Sequence, residues 1–280
     1  MSPTPLAPDP CAIVHQLFGY EFPWDVTRAL EFALLKTFCV PSISRLLAQT
    51  GEFTHRTQKR YDDTALLIAE IAQWGYDHER GQAAIARMNA IHGRFQISNE
   101  DFLYVLSTFI YEPIRWINQF GWRSLTEIEQ DIYYQFWCVV GDRMQITNIP
   151  NSYSAFEQFH DRYEAEQFQY AATNQQIAQA TQTLFLSWFP APLRPVLAPC
   201  ADALLEPLMV PALGAAQPSP WLTQTVRQSL RTRSYLAHLF PPRQRSHFYT
   251  ELPNRTYPQG YRIQDLGPQR EGGAIARDPS

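Results

Sequence analysis

Residues 64–75 read TALLIAEIAQWG, and this stretch decides the fold class. Leu67, Ile71 and Trp74 recur at i, i+4 and i+7, the spacing that stacks side chains on one helix face, and Gly75 stops the run. Residues 87–95, RMNAIHGRF, close a second segment of the same period. Ile85, Met88 and His92 fall at i, i+3 and i+7, and Gly93 stands where a left-handed C-cap belongs. The last position of that apolar stripe is an imidazole where a leucine would pack better.

The helical period extends in both directions. Asp25 is placed to cap a helix carrying Leu30, Leu34 and Phe38 and ending before Pro41. Ser42 opens a short helix ending at Gly51, and Asp62 or Asp63 precedes the run at 64–75. Ser98 and Asp101 give a start signal flanked by Ile97 and Phe102, for a helix running toward Gly121 and kinked at Pro113. Thr126 with Glu129, and Ser154 with Glu157, read as capping boxes, and Ser219–Pro220 as an N-cap and first helical residue. Val, Ile and Thr never alternate with polar residues over a strand length. The expected fold is all-α, one helical domain over 24–266, between an extended segment at 1–23 and a mobile tail at 267–280.

Between Leu184 and Leu213 the chain is strongly apolar but broken by Pro190, Pro192, Pro195, Pro199, Pro207 and Pro211. It cannot form one long helix. Short helices packed over a hydrophobic pocket are expected there. A segment dipping into a membrane interface is the lesser reading, because a clean polar face is missing.

Composition narrows the function classes. The 280 residues carry a net charge of -4 with 45% hydrophobic residues, so no whole-molecule field for nucleic acid exists. Arg227, Arg231, Arg233, Arg243 and Arg245 form a local basic stretch, read as a solvated helix face. Cys11, Cys39, Cys138 and Cys200 lie far apart without CxxC pairing, which fits reduced thiols in a cytoplasmic protein. The N-terminus lacks signal-peptide regions, and no run of about 18 apolar residues marks a membrane span.

Three sets of residues carry candidate chemistry. A lone histidine on an apolar face is usually a core residue bonded to a carbonyl, and the sharper reading of His92 is an axial metal or haem ligand. In KRYDDT, residues 59–64, Arg60 and Thr64 stand at i, i+4 at the mouth of an apolar helix stripe. They are either an ordinary helix start or a polar pair over a cofactor, with Arg neutralising a propionate or steadying bound oxygen. The Glu-x-x-His spacing of di-iron proteins occurs at Glu52/His55 and Glu157/His160, giving a rival metal site. No G-x-S-x-G elbow, G-x-G-x-x-G or P-loop is present. Trp116 and Trp122 could stack bases, but core packing accounts for them better.

KRYDDT, MNAIHGRF and ISNEDFLYVLSTFIYEPIRWINQFGWRSLTEIE, in that order, resemble the oxygenase family of MpaB and the rubber oxygenases (latex-clearing proteins). The match covers roughly residues 20–150, and YEFPWDVTRALEFALLKTF with VGDRMQI resembles the MpaB-type branch. The resemblance implies a haem-b protein with a globin-like helical core. His92 would be the axial iron ligand, with Arg60 and Thr64 on the distal side near dioxygen. Some rubber oxygenases carry a lysine just before the threonine, where this chain has Asp63, which argues against rubber itself. The implied activity is dioxygen-dependent cleavage of a carbon–carbon double bond in an apolar, isoprenoid-like small molecule. A non-catalytic haem or lipid carrier on the same scaffold is the alternative from another class.

Overall fold

The structure, a computed structural model, describes residues 9–268. Asp9 accepts the Cys11 N–H at 3.0 Å and Pro10 takes the first helical position, which together start α1 (Pro10–Gln16). A π-helical turn (Leu17–Glu21) leads into α2 (Pro23–Thr37), and Val14, Leu17, Phe18 and Phe22 are buried. The extended N-terminal segment expected over 1–23 is therefore helical and part of the core from residue 10 onward. Pro10 and Pro23 start helices, where no backbone N–H is needed, instead of breaking them. Residues 1–8, and the expected tail from 269 on, lie outside the described residues.

Next come α3 (Pro41–Thr50), α4 (Glu52–His55), α5 (Thr57–Trp74) and α6 (Glu79–His92). Two cap expectations shift here. Asp25 lies inside the first turn of α2, buried and paired with Arg233 at 2.7 Å. Asp62 and Asp63 lie within α5, buried. Gln58 and Lys59, one turn earlier, donate to them at 2.9 and 2.7 Å, and Tyr249 and Tyr257 donate at 2.7 and 2.5 Å. These donors let two acids sit inside the protein without a helix end to favour them. Helices α5 and α6 approach closely at Gly81, where a side chain would collide with the Gly75 carbonyl.

Helix α7 (Asn99–Phe120) starts at Ser98, whose side chain accepts the Asp101 N–H at 3.0 Å. Pro113 sits inside it and cannot donate to the Phe109 carbonyl. Tyr133 of α8 (Glu127–Arg143) donates to that carbonyl at 3.3 Å. The Thr126/Glu129 capping box opens α8 as expected. Helix α9 (Tyr153–Gln167) begins earlier than the Ser154/Glu157 reading, because Ser152 caps it through the Ala155 N–H. Then follow α10 (Ala172–Ser187), α11 (Arg194–Asp202), α12 (Met209–Ala212) and α13 (Pro220–His238), the last capped by Ser219.

Thirteen α-helices and no strand occur among the described residues, and the chain is one all-α domain. Helix α7 is buried along most of its length, packs along α2, and also touches α8, α9 and α13. The main core gathers α1, α2 and α5 to α8 around residues such as Ile71, Ile110, Phe136 and Trp137. A second core, including Phe38, Phe53, Ile177, Met209 and Leu213, lies under the Pro-broken segment. No helix of the described residues is long and apolar enough to cross a membrane.

Candidate active site

Arg60 and Thr64 face the same way on α5, one turn apart, and lock together. The Arg60 guanidinium donates to Thr64 Oγ1, which in turn donates to the Arg60 carbonyl at 3.0 Å. The guanidinium also lies 5.1 Å from the centre of the Phe53 ring. Protein encloses it closely enough that burial lowers its pKa, with Asp63 and Glu52 opposing from a distance. Neither acid reaches it as an ion pair. Asp63 is held by Lys59 and Tyr257, and Glu52 by Arg56 at 2.6 Å. Among the described residues Arg60 has no carboxylate partner at all. Arg60 is partly exposed and carries no carboxylate, so its guanidinium is accessible to an anion or a polar ligand.

His92 ends α6 below Ile85 and Met88, both buried on its face. Gly93 does cap this helix, but with φ −63°, in the right-handed region and not the left-handed one expected. The imidazole packs edge-on against Phe102, ring centres 5.5 Å apart. Burial pushes its pKa down to about 4, and the positive charge of Arg60 adds to the shift. His92 is therefore neutral near pH 7, and Arg60 is close enough to be felt. Its Nδ1 is buried with no hydrogen-bond partner among the described residues. The core-histidine reading requires a carbonyl at that nitrogen, and none is there.

One apolar cavity adjoins Thr64, and a second, larger one shares part of its wall. The first, of about 80 Å³, is lined by Thr64, Leu30, Ile68, Phe109 and Phe248. The larger one, of about 490 Å³, lies between α2 and the Pro-broken segment, lined by residues including Leu35, Leu184, Trp188, Leu197 and Leu213. Glu31, Leu34 and Tyr61 line both. Glu31 accepts from Tyr61 at 2.5 Å and from Arg28 at 2.7 Å, and burial raises its carboxyl pKa. The sequence reading missed this boundary, because Glu31 falls on the helix face of Leu34 and gives no local signal of burial.

The rival di-iron set does not assemble. Glu52 pairs with Arg56, His55 is exposed, and Glu157 pairs with Arg115 at 3.2 Å. Only His160 enters a buried polar cluster, with Glu112, Glu164 and Lys36. Its Nε2 lies 3.0 Å from Glu164 and 3.5 Å from Glu112, and its Nδ1 is 2.8 Å from Ser107 Oγ. Glu112, His160 and Glu164 are close enough together to hold a metal ion. However, Lys36 Nζ already fills the centre, 2.8 Å from Glu112, 3.2 Å from Glu164 and 3.0 Å from Glu206. An ammonium serves these carboxylates as counter-ion, and a divalent ion would have to displace it. The His160/Glu164 spacing was readable, but Lys36 comes from a distant helix.

A family described as "ER-bound oxygenase mpaB/B'/Rubber oxygenase, catalytic domain" matches residues 27–240. The chain belongs to this family. It is 29% identical over 250 residues to ER-bound oxygenase mpaB' of Penicillium brevicompactum, covering 82% of this chain and 59% of that protein. ER-bound oxygenase mpaB of the same species is 33% identical over 153 residues, which are 52% of this chain and 39% of the relative. Its counterpart in Penicillium roqueforti (strain FM164) is 30% identical over 194 residues, 63% of this chain and 65% of the relative. The chain thus spans less than two-thirds of each of these relatives. The family match takes in Arg60, Thr64 and His92, and the whole Pro-broken segment beyond the region where the motifs are clearest.

Proposed function

We propose that the chain is a haem-b-dependent oxygenase that cleaves a carbon–carbon double bond of an apolar, isoprenoid-like molecule with dioxygen. The observation that carries this reading is the Arg60 guanidinium, held by Thr64 without a carboxylate partner among the described residues, and near enough for its charge to act on a neutral His92 whose Nδ1 lacks a partner. These residues fit a haem. A neutral imidazole is the form that ligates iron, and a free guanidinium suits a haem carboxylate. When bound, haem supplies the dioxygen chemistry, which no side chain here can perform.

This chain's own residues would do the rest. His92 would hold the iron. Arg60 would place positive charge beside a haem carboxylate or oxygen-derived negative charge, and Thr64 would present a hydroxyl at the edge of the small cavity. The apolar walls of the 490 Å³ cavity would exclude water and seat the hydrocarbon. Cleavage of this kind balances without a reductant, since the two atoms of dioxygen end in two carbonyl groups. A cytoplasmic location is part of the same reading.

The test is an absorption spectrum and iron analysis of purified protein. A Soret band with about one haem per chain, lost in His92→Ala, is the expected result. Colourless protein holding iron at Glu112, His160 and Glu164 would overturn it. A haem protein with no oxygen-dependent alkene turnover would point instead to a carrier.

A further inference from the structure

Helix α13 turns an uncharged face to solvent. Trp221, Tyr235, Leu236 and Leu239 are exposed on it, and Phe240 follows, with Trp221 and Phe240 each 74% exposed. The side chains between them are Gln224, Thr225, Gln228 and Thr232, all neutral and exposed. A solvated helix face normally carries charge. Beside α13 packs α11, where Val196 is exposed, as is Leu193 just before it. The 490 Å³ cavity lies against the same two helices, since Leu197, Cys200 and Val226 line it.

The segment that carries this apolar face is basic. Residues 190–246 hold six arginines, no lysine and two acids, Asp202 and Glu206, in a chain whose overall charge is -4. Arg233 is paired with Asp25. Arg194, Arg227, Arg231, Arg243 and Arg245 have no carboxylate partner among the described residues. Reading this basic stretch as an ordinary solvated helix face leaves the neighbouring tryptophan, leucines and phenylalanine unexplained.

We propose that this face docks on an anionic lipid bilayer, with Trp221, Leu236, Leu239 and Phe240 among the acyl chains and the free arginines at headgroup phosphates. Exposed aromatic and leucine side chains flanked by arginine are the chemistry of an interfacial helix, which lies on a membrane without crossing it. Arg194 donates to the Phe189 carbonyl at 3.0 Å, whereas Arg231, Arg243 and Arg245 can meet phosphate without first losing a carboxylate partner. Docking would also set the large cavity beside the phase in which an apolar substrate dissolves, a consequence that rests on the proposed function. The docking itself does not.

Co-sedimentation of the full chain with vesicles tests it, because it requires neither haem nor turnover. Phosphatidylcholine vesicles are compared with vesicles in which about a third of the lipid is phosphatidylserine. Tighter binding to the anionic vesicles, with a blue shift of tryptophan emission, is expected. Arg231→Gln/Arg243→Gln/Arg245→Gln should weaken that binding on the order of a hundredfold, about fivefold per arginine. Trp221→Ser/Leu239→Ser/Phe240→Ser should abolish it, with circular dichroism unchanged. Equal binding to both vesicle types, or triple variants that bind like the parent, would overturn the proposal. So would a lipid-free oligomer that the second triple variant dissolves, since the face would then belong to a protein interface.

Discussion

Two cations of this protein differ completely in their surroundings. Lys36 is fully buried and touches three carboxylates, Glu112, Glu164 and Glu206, which raise its pKa against the effect of burial. Arg60 is half-buried and, among the described residues, makes no ion pair, its contacts including Thr64 and the Phe53 ring. In the Lys36 cluster the cation meets carboxylates of α7 and α9 and so joins both helices to α2. Arg60 is accessible to an anion, and its partner is best sought in a ligand.

This contrast is most easily broken by removing each cation in the haem-free protein. Lys36→Met leaves Glu112 and Glu164 buried without their counter-ion, and the expected loss is about 3–5 kcal/mol. Arg60→Met removes a charge that had no partner, so the same protein should stay within about 1 kcal/mol of the parent or gain stability. Urea unfolding measures both. Equal destabilisation by the two changes would show that Arg60 is as structural as Lys36, and the site reading would fail.

With haem bound the order should reverse. Arg60→Ala or Thr64→Ala removes a hydrogen bond to a charged group, costing about 1.5–3 kcal/mol. In the rate-limiting step this is about a 10- to 150-fold fall in oxygenase rate. The control Arg45→Ala, at an exposed residue of α3, should leave haem occupancy and rate unchanged. Normal rates and spectra in the Arg60 and Thr64 variants would reduce the pair to a helix start.

The pH dependence of stability sharpens the other half of the comparison. Hydrogen bonds and charge from His160 and Lys36 overcome burial and hold Glu112 and Glu164 below the usual carboxylate range. Their contribution is present above the unfolded value of about 4.5 and is lost as pH falls through the lower folded values. His160 is shifted the other way, since the same two carboxylates outweigh its burial. Its contribution is full below about 6.5 and fades as pH rises through the raised folded value. The cluster should therefore stabilise most between about pH 4.5 and 6.5. The advantage of the parent over Glu112→Gln/Lys36→Met, followed by urea midpoints, should peak in that window. A difference independent of pH would mean the groups are not ionised as drawn.

How far these features were legible follows from the range of the forces that make them. Arg60, Thr64 and His92 announce themselves through i, i+4 spacing and a polar residue ending an apolar stripe, both local signals. The Ser98 and Thr126 caps are equally local, and both form as read. Lys36 gave no signal, because its partners lie 76 and 128 residues away on α7 and α9. Asp62 and Asp63 were read as caps because their burial depends on Tyr249 and Tyr257, nearly 200 residues later. The N-terminal segment misled for another reason. Proline marks coil and helix start alike, and only the packing of Val14, Leu17 and Phe18 decides between them.

The smallest expected effect per step concerns the Pro-broken segment, which differs from the α5–α6 pair in having no polar pattern to read. Its apolar character found its use in the 490 Å³ cavity, where Leu184, Trp188, Leu197 and Leu213 form wall rather than core. Pro190, Pro192, Pro195 and Pro199 each fix one backbone torsion, which keeps short elements such as α11 from collapsing inward. A hydrocarbon chain buried there gains roughly 0.8 kcal/mol per methylene, or about fourfold in affinity. A series of prenyl alcohols, titrated against the haem spectrum, should bind progressively tighter until the cavity is full, then level off. Leu197→Trp should move that plateau to a shorter chain, because it fills the wall from within. If affinity stays flat along the series, and Leu197→Trp changes nothing, the cavity does not hold the substrate. Any carbonyl product formed under oxygen would then have to arise from a chain bound elsewhere.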